Sequence, residues 1–230
     1  MLNHILRLNC IVQTIHHPIQ YQVNTITEPI RIMDIDSANI ELSDFDMYLN
    51  ETIVYPSIKW FMYPIEGVYV VYSFNKTGIH EVKIIFKKTL SSMLKLFQRC
   101  SELISINFNE SFDSSQVLSM EQIFYECLSL TSVNVSSLNT SLVGNYYGIF
   151  YGCPQLTSLD LSNFEGTYSF APDGMFYESN NLKYIDLSSF YIPNGMCSHL
   201  GLHDSNGTII INKNLSFCQN VKSWNVIYKD

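Results

Sequence analysis

His199 and His203 are four residues apart, the spacing at which two imidazoles on one helix face can hold a metal ion, and Asp204 adds a carboxylate beside them. That set would suit metal-dependent hydrolysis. Gly201 between the histidines and Asn206 beyond them mark a loop instead of a helix, which works against a shared ion. His16 and His17 are adjacent, so on a strand their rings point to opposite faces. No HExxH, no GxSxG elbow and no phosphate-cradling glycine loop occurs in the chain. Residues 34–46 are acidic but lack the glycine spacing and closing glutamate of a calcium loop. No CxxC or Cys/His cluster has zinc spacing. No catalytic residue, cofactor ligand or metal ligand is therefore assigned, and the chain is expected not to be an enzyme.

The residues that could do binding chemistry recur at a fixed interval. Residues 96–108 (LFQRCSELISINF), 123–135 (IFYECLSLTSVNV), 149–161 (IFYGCPQLTSLDL) and 175–187 (MFYESNNLKYIDL) repeat one phrase, with Phe97, Phe124, Phe150 and Phe176 at its second position. Such a period is the mark of stacked repeats. Within each unit the pattern Leu156-x-x-Leu159-x-Leu161 puts a short strand with alternate residues inward. The residues between them face out. Ser105, Ser132, Ser158 and Tyr184 form one column, and Asn107, Asn134, Asp160 and Asp186 the next. Asn109, Ser136, Ser162 and Ser188 lie beyond. The first unit is one residue longer after its strand (Asn109-Glu110-Ser111-Phe112), which predicts a local bulge. The Phe column reads as core, and Tyr125, Tyr151 and Tyr177 beside it as an outer layer suited to contacts. Cys100, Cys127 and Cys153 share one slot with Ser179, which reads as a place for a small buried side chain, with reduced cysteines.

The elements that carry these columns follow from the same text. The LxxLxL pattern is that of a leucine-rich repeat, and the polar stretch before each strand, such as residues 119–125, has helical or turn character. The expected fold class is α/β (mixed): a leucine-rich-repeat solenoid with short parallel strands, preceded by a small β-rich N-terminal domain. Residues 1–88 would form that sandwich-like domain, 89–206 the solenoid and 207–230 its C-terminal cap. In the first part, residues 67–74 and 79–86 are expected to form a hairpin about the turn at 75–78, and residues 82–86 to start the repeat ribbon. In the cap, residues 209–211 would be a last strand, residues 215–222 a helix or turn, and Trp224 a lid.

Composition narrows the function. The 230 residues are 47% hydrophobic, with 29 Phe plus Tyr against 13 Lys plus Arg, and carry a net charge of -8. That is ample for a core and lacks the basic face of a nucleic-acid binder. No apolar run is long enough to span a membrane. The first 17 residues are interrupted by Asn3, His4, Arg7 and Asn9 and read as a strand, not as a clear signal peptide. Seven N-x-S/T sequons occur, at Asn50, Asn75, Asn109, Asn134, Asn139, Asn206 and Asn214.

Residues 149–164 (IFYGCPQLTSLDLSNF) resemble the phrase MFxxCxxLxxLDLSxF of the BspA-like leucine-rich-repeat proteins, and Asn139-Thr140-Ser141 fits that repeat's NTS tail. The resemblance extends over about residues 67–230 through the 71–82 segment, Gly207-Thr208-Ile209 and Trp224. It implies a surface or secreted protein concerned with adhesion and partner binding, and carries over no catalytic residue. The chain has few repeats for that group and no clear export signal or anchor. The expected function is a non-catalytic recognition module that binds a protein or glycan through Ser105, Asn107, Ser132, Asn134, Ser158, Asp160, Tyr184 and Asp186. The rival readings are a structural role in self-assembly, and a hydrolase at His199, His203 and Asp204. Oligomeric state and compartment are not legible.

Overall fold

The structure is a computed structural model that describes residues 13–14, 19–24, 28–61, 67–165, 173–190, 199–202, 206–212 and 223–229. The mixed α/β leucine-rich-repeat expectation is overturned. Among the described residues there are fourteen strands, a three-residue 3-10 turn (Leu42–Asp44) and no α-helix, gathered into three sheets, one of mixed, one of parallel and one of antiparallel pairing.

The reason lies in the polar half of each repeat. Lys95 and Arg99, Gln122 and Glu126, Gly148 and Gly152, and Gly174 and Glu178 all have φ between 54° and 66°. Two left-handed residues four apart cannot belong to one right-handed helix. They turn their N–H groups toward the next unit instead. Lys95 N–H donates to the Glu121 carbonyl at 2.9 Å, Gln122 to Tyr147 at 2.9 Å and Gly148 to Asp173 at 3.0 Å. Between them the Phe97, Phe124 and Phe150 N–H groups donate to the carbonyls of Ile123, Ile149 and Met175 at 2.9–3.0 Å. A helix would have spent those donors within its own unit.

The strand halves of the units form β9 (Leu103–Asn107), β10 (Ser132–Asn134), β11 (Ser158–Asp160) and β12 (Tyr184–Leu187). β9 and β10 pair in parallel, as do β11 and β12, but β10 and β11 share no ladder. The row of strands is therefore split between two sheets.

On the first sheet, β9 continues into the N-terminal part. β2 (Ile19–Val23) pairs antiparallel with β9 on one side and with β8 (Gly78–Phe86) on the other. β8 in turn carries β4 (Phe45–Leu49) and the short β1 (Gln13–Thr14), and β5 (Thr52–Val54) closes the edge on β4. Residues 19–23, not 82–86, thus meet the first repeat strand. The expected hairpin is also absent. β7 (Gly67–Tyr72) lies in another sheet, between β3 (Ile30–Asp34) and β6 (Ser57–Phe61), so both its edges are taken. That small sheet covers the turn side of the first unit, where Asp34 N–H donates to the Leu96 carbonyl at 2.7 Å.

On the second sheet, β12 continues in parallel into β13 (Gly207–Asn212) and β14 (Trp224–Lys229). Residues 209–211 are therefore followed by one more strand, which Trp224 begins; residues 215–222 lie outside the described residues. Gly207 has to be glycine, because a Cβ there would sit 2.2 Å from the Lys183 carbonyl oxygen.

The core runs without a break from β2 to Trp224. Its axis is the phenylalanine column. Phe97, Phe124, Phe150 and Phe176 stack with centroid steps of 5.8, 5.5 and 6.2 Å and planes within 12° of parallel. The cysteine slot lies beside it. Cys127 and Cys153 Sγ each donate to the Phe carbonyl one unit earlier at 3.0 Å, and Ser179 Oγ does so at 2.6 Å. Cys100 donates to Ile32 of β3 at 3.3 Å in the same way. The slot wants a small donor, which both thiol and hydroxyl supply. The three thiols are free and buried, and burial pushes Cys153 up to about 12.

Candidate recognition groove

The split between β10 and β11 divides the eight candidate residues into two groups. Ser105, Asn107, Ser132 and Asn134 share the first sheet, with Ser132 opposite Ser105 and Asn134 opposite Asn107. Ser158, Asp160, Tyr184 and Asp186 share the second, with Ser158 opposite Tyr184 and Asp160 opposite Asp186. No strand ladder joins the two groups.

Within the Asn/Asp column, much of the hydrogen-bonding capacity is already used. Asn134 Oδ1 accepts the Ser136 N–H at 3.1 Å and its hydroxyl at 2.8 Å. Asp160 Oδ1 accepts the Ser162 N–H at 3.0 Å, and Asp186 Oδ1 the Ser188 N–H at 2.9 Å. These are Asx turns that end each strand. The Asx-x-Ser spelling at 134–136, 160–162 and 186–188 was the signal for them in the sequence.

Asp186 departs furthest from an outward position. It is 3% exposed, and Lys229 of β14 reaches its Oδ2 at 2.8 Å. Burial alone would raise this carboxyl; Lys229 and Ser188 outweigh that and hold it below the usual carboxylate range. The lysine also offsets the repulsion between Asp160 and Asp186. Asp186→Ala should lower stability more than Asp160→Ala, because both lose a turn bond but only the first removes a covered carboxylate paired with Lys229. Urea midpoints of the two variants check this, and equal midpoints would refute it. Ser105 is engaged too, donating to Gln20 Oε1 of β2 at 3.1 Å.

A groove of about 530 Å³ opens at the ends of β9 and β10. Asn107, Asn109, Glu110, Asn134, Ser136 and Ser137 line it. Of the eight candidates it collects Asn107 and Asn134. Glu110 and Ser137 were not among the eight candidates, although the extra residue after the first strand marked the place of Glu110. That residue falls in a turn closed by the Phe112 N–H on the Asn109 carbonyl at 2.9 Å, and residues 109–111 form one wall. Ser137 Oγ is committed to the Phe108 carbonyl at 2.7 Å, and Ser111 Oγ to Asn109 Oδ1 at 3.0 Å. Asn107, the amide nitrogen of Asn134 and the Glu110 carboxylate make no hydrogen bond among the described residues. Asn134 Oδ1 is held by the Ser136 N–H and hydroxyl, so only its NH₂ is left for a ligand in the groove that the residue lines.

The tyrosine layer is largely self-satisfied. Tyr125 stacks on Tyr151 at 4.6 Å, Tyr151 on Tyr177 at 5.3 Å, and Arg99 covers the outer face of Tyr125 at 5.7 Å. Arg99 pairs with Glu126 at 2.8 Å, and Tyr151 donates to Glu178 at 3.2 Å.

Of the metal-site residues His199, His203 and Asp204, only His199 lies among the described residues. Its Nδ1 lies 2.5 Å from Asp173 Oδ1. Among the described residues, no three His, Cys, Asp or Glu side chains gather. No helix of the described residues is long and apolar enough to cross a membrane.

Residues 73–197 match the family described as "Mycoplasma protein of unknown function, DUF285". No curated protein and no solved structure matches the chain.

Proposed function

Since the chain belongs to the DUF285 family, whose description carries no activity, we propose a function from the molecule itself: a non-catalytic recognition module that binds its partner at the ends of β9 and β10. One observation carries the reading. A groove of about 530 Å³ is lined by an in-register pair, Asn107 and Asn134, and the Asn107 side chain and the Asn134 NH₂ make no hydrogen bond among the described residues. A stack of rigid turn-and-strand units holds that pair, so binding does not have to order it first. The likeness of residues 149–164 to the BspA-like repeat supports a role in adhesion at a cell surface or in secretion. Ser158, Asp160 and Tyr184 lie on the second sheet and do not line this groove.

The test uses the full chain and the double variant Asn107→Ala/Asn134→Asp, which keeps the Asx turn. Both are labelled and offered to whole cells and to mucin-coated and collagen-coated wells. The expected result is saturable binding by the wild type that the variant loses without a change in melting temperature. Equal binding by both proteins, or none by the wild type, would overturn the proposal.

A self-assembly role has one observation in its favour. β14 is the edge strand of its sheet and exposes Ile227 and Tyr228 at 43% and 45%. Light scattering on the same preparations decides it: a monomer supports the recognition reading, and a concentration-dependent oligomer supports assembly.

A further inference from the structure

We infer that the groove at Asn107, Glu110 and Asn134 takes a neutral saccharide presenting vicinal hydroxyls. The inference rests on the recognition reading and narrows its partner. The three free groups divide the work. Asn134 offers N–H donors only, because its Oδ1 is held by Ser136 at 3.1 Å. Glu110 offers acceptors only. Asn107, opposite Asn134 across the ladder, offers both. A sugar hydroxyl is both donor and acceptor. Two neighbouring hydroxyls can give their protons to the Glu110 carboxylate while their oxygens take N–H from the amides. The parallel strands set the amides about 4.8 Å apart, a span that neighbouring hydroxyls on one ring can bridge.

Other ligand classes fit less well. Glu110 is the only charged side chain lining the groove and the chain carries a net charge of -8, so a phosphate or sulfate would be repelled. A protein hot spot needs a buried aromatic or aliphatic anchor. The one aromatic residue at the wall, Phe108, is 1% exposed and offers little but its backbone. A lysine-rich peptide could pair with Glu110, but the outward NH₂ of Asn134 would face its ammonium groups donor to donor.

The experiment uses the full chain made in bacteria, so that the sequons at Asn109 and Asn134 stay unmodified. It is presented to immobilised chito-, cello-, manno- and galacto-oligosaccharides, to sialylated and sulfated glycans, and to oligolysine. The wild type should bind at least one neutral series. Glu110→Gln and Asn134→Asp should each weaken that binding about tenfold or more, since each turns a hydrogen bond to a charged or fixed group into a mismatch. Neither variant should shift the melting temperature, because Asn134→Asp keeps the turn acceptor.

Absence of neutral-glycan binding overturns the inference, as does preference for anionic glycans or oligolysine, or binding that both variants leave unchanged. Treating the target cells separately with periodate and with protease distinguishes the two levels. Binding that Asn107→Ala/Asn134→Asp abolishes, that periodate spares and that protease removes would retain the recognition module and refute the saccharide.

Discussion

Phe150→Ala lowers the free energy of unfolding by about 3–5 kcal/mol, the usual cost of emptying a fully buried aromatic site. Phe150 is 0% exposed and sits between Phe124 and Phe176, at 5.5 and 6.2 Å. Its removal divides the phenylalanine column in the middle. The surrounding backbone cannot collapse into the gap, because Phe124 N–H, Phe150 N–H and Gly152 N–H are all bonded to the following unit at 2.8–3.0 Å. Against a typical total stability of about 5–15 kcal/mol this is a large fraction, and it corresponds to a melting shift of roughly 6–20 °C for a chain of this size. Tyr177→Ala is the control. That ring belongs to the neighbouring column but is 44% exposed, so the change should cost under about 1 kcal/mol. Urea denaturation at constant slope measures both. A Phe150→Ala protein within about 1 kcal/mol of the wild type would mean that the column does not hold the units together.

Asp34→Asn stabilises the protein at neutral pH and loses that advantage in acid. Asp34 ends β3 with its side chain fully buried, and its Oδ2 finds no hydrogen-bond partner. Burial pushes the carboxyl up to about 6, against the pull of the Ser37 and Asp36 N–H groups and the Lys95 charge, with Asp36 adding to the rise. The folded protein therefore holds this proton more tightly than the unfolded chain does. The contribution to stability is fully present below about pH 4 and is lost as the pH climbs to about 6, by at most roughly 3 kcal/mol. Asparagine removes the charge but leaves an NH₂ without a partner, which takes back about 1–2 kcal/mol. The net gain is about 1–2 kcal/mol at pH 7.5, shrinking to nothing or reversing at pH 4.5. Comparing wild type and variant at the two pH values cancels every other titrating group. A gain that is independent of pH would show that Asp34 is not the group that titrates.

Both predictions concern the seam where the N-terminal strands meet the repeats or the axis of the repeats themselves. The groove depends on the same seam. Its wall at 109–111 follows the strand that pairs with β2, and the bond from Phe108 N–H to the Asn134 carbonyl at 3.0 Å ties its two strands together. The proposed binding groove is thus held from below by residues that do not line it.

The sequence by itself determined the repeat, its phenylalanine column and the in-register pairs Ser105/Ser132 and Asn107/Asn134. Period and alternation act through neighbours one unit apart, and the text displays them directly. It also marked the extra residue that shapes the groove. Only the tertiary structure decided the rest. The helical or turn layer became turns because two residues per unit go left-handed to give their N–H groups to the next unit, a choice that glycine announces at 148, 152 and 174 but that Lys95, Gln122 and Glu126 do not. The outward column became partly structural because strand ends need an acceptor, and Asp186 is covered because a distant lysine, 43 residues later, lies beside it. The assignment of residues 19–23 to the first repeat strand, and the parting of β7 from β8, are pairings between segments far apart in the chain. Such pairings are set by which apolar faces fit and which strand edges remain open, and no local pattern records them.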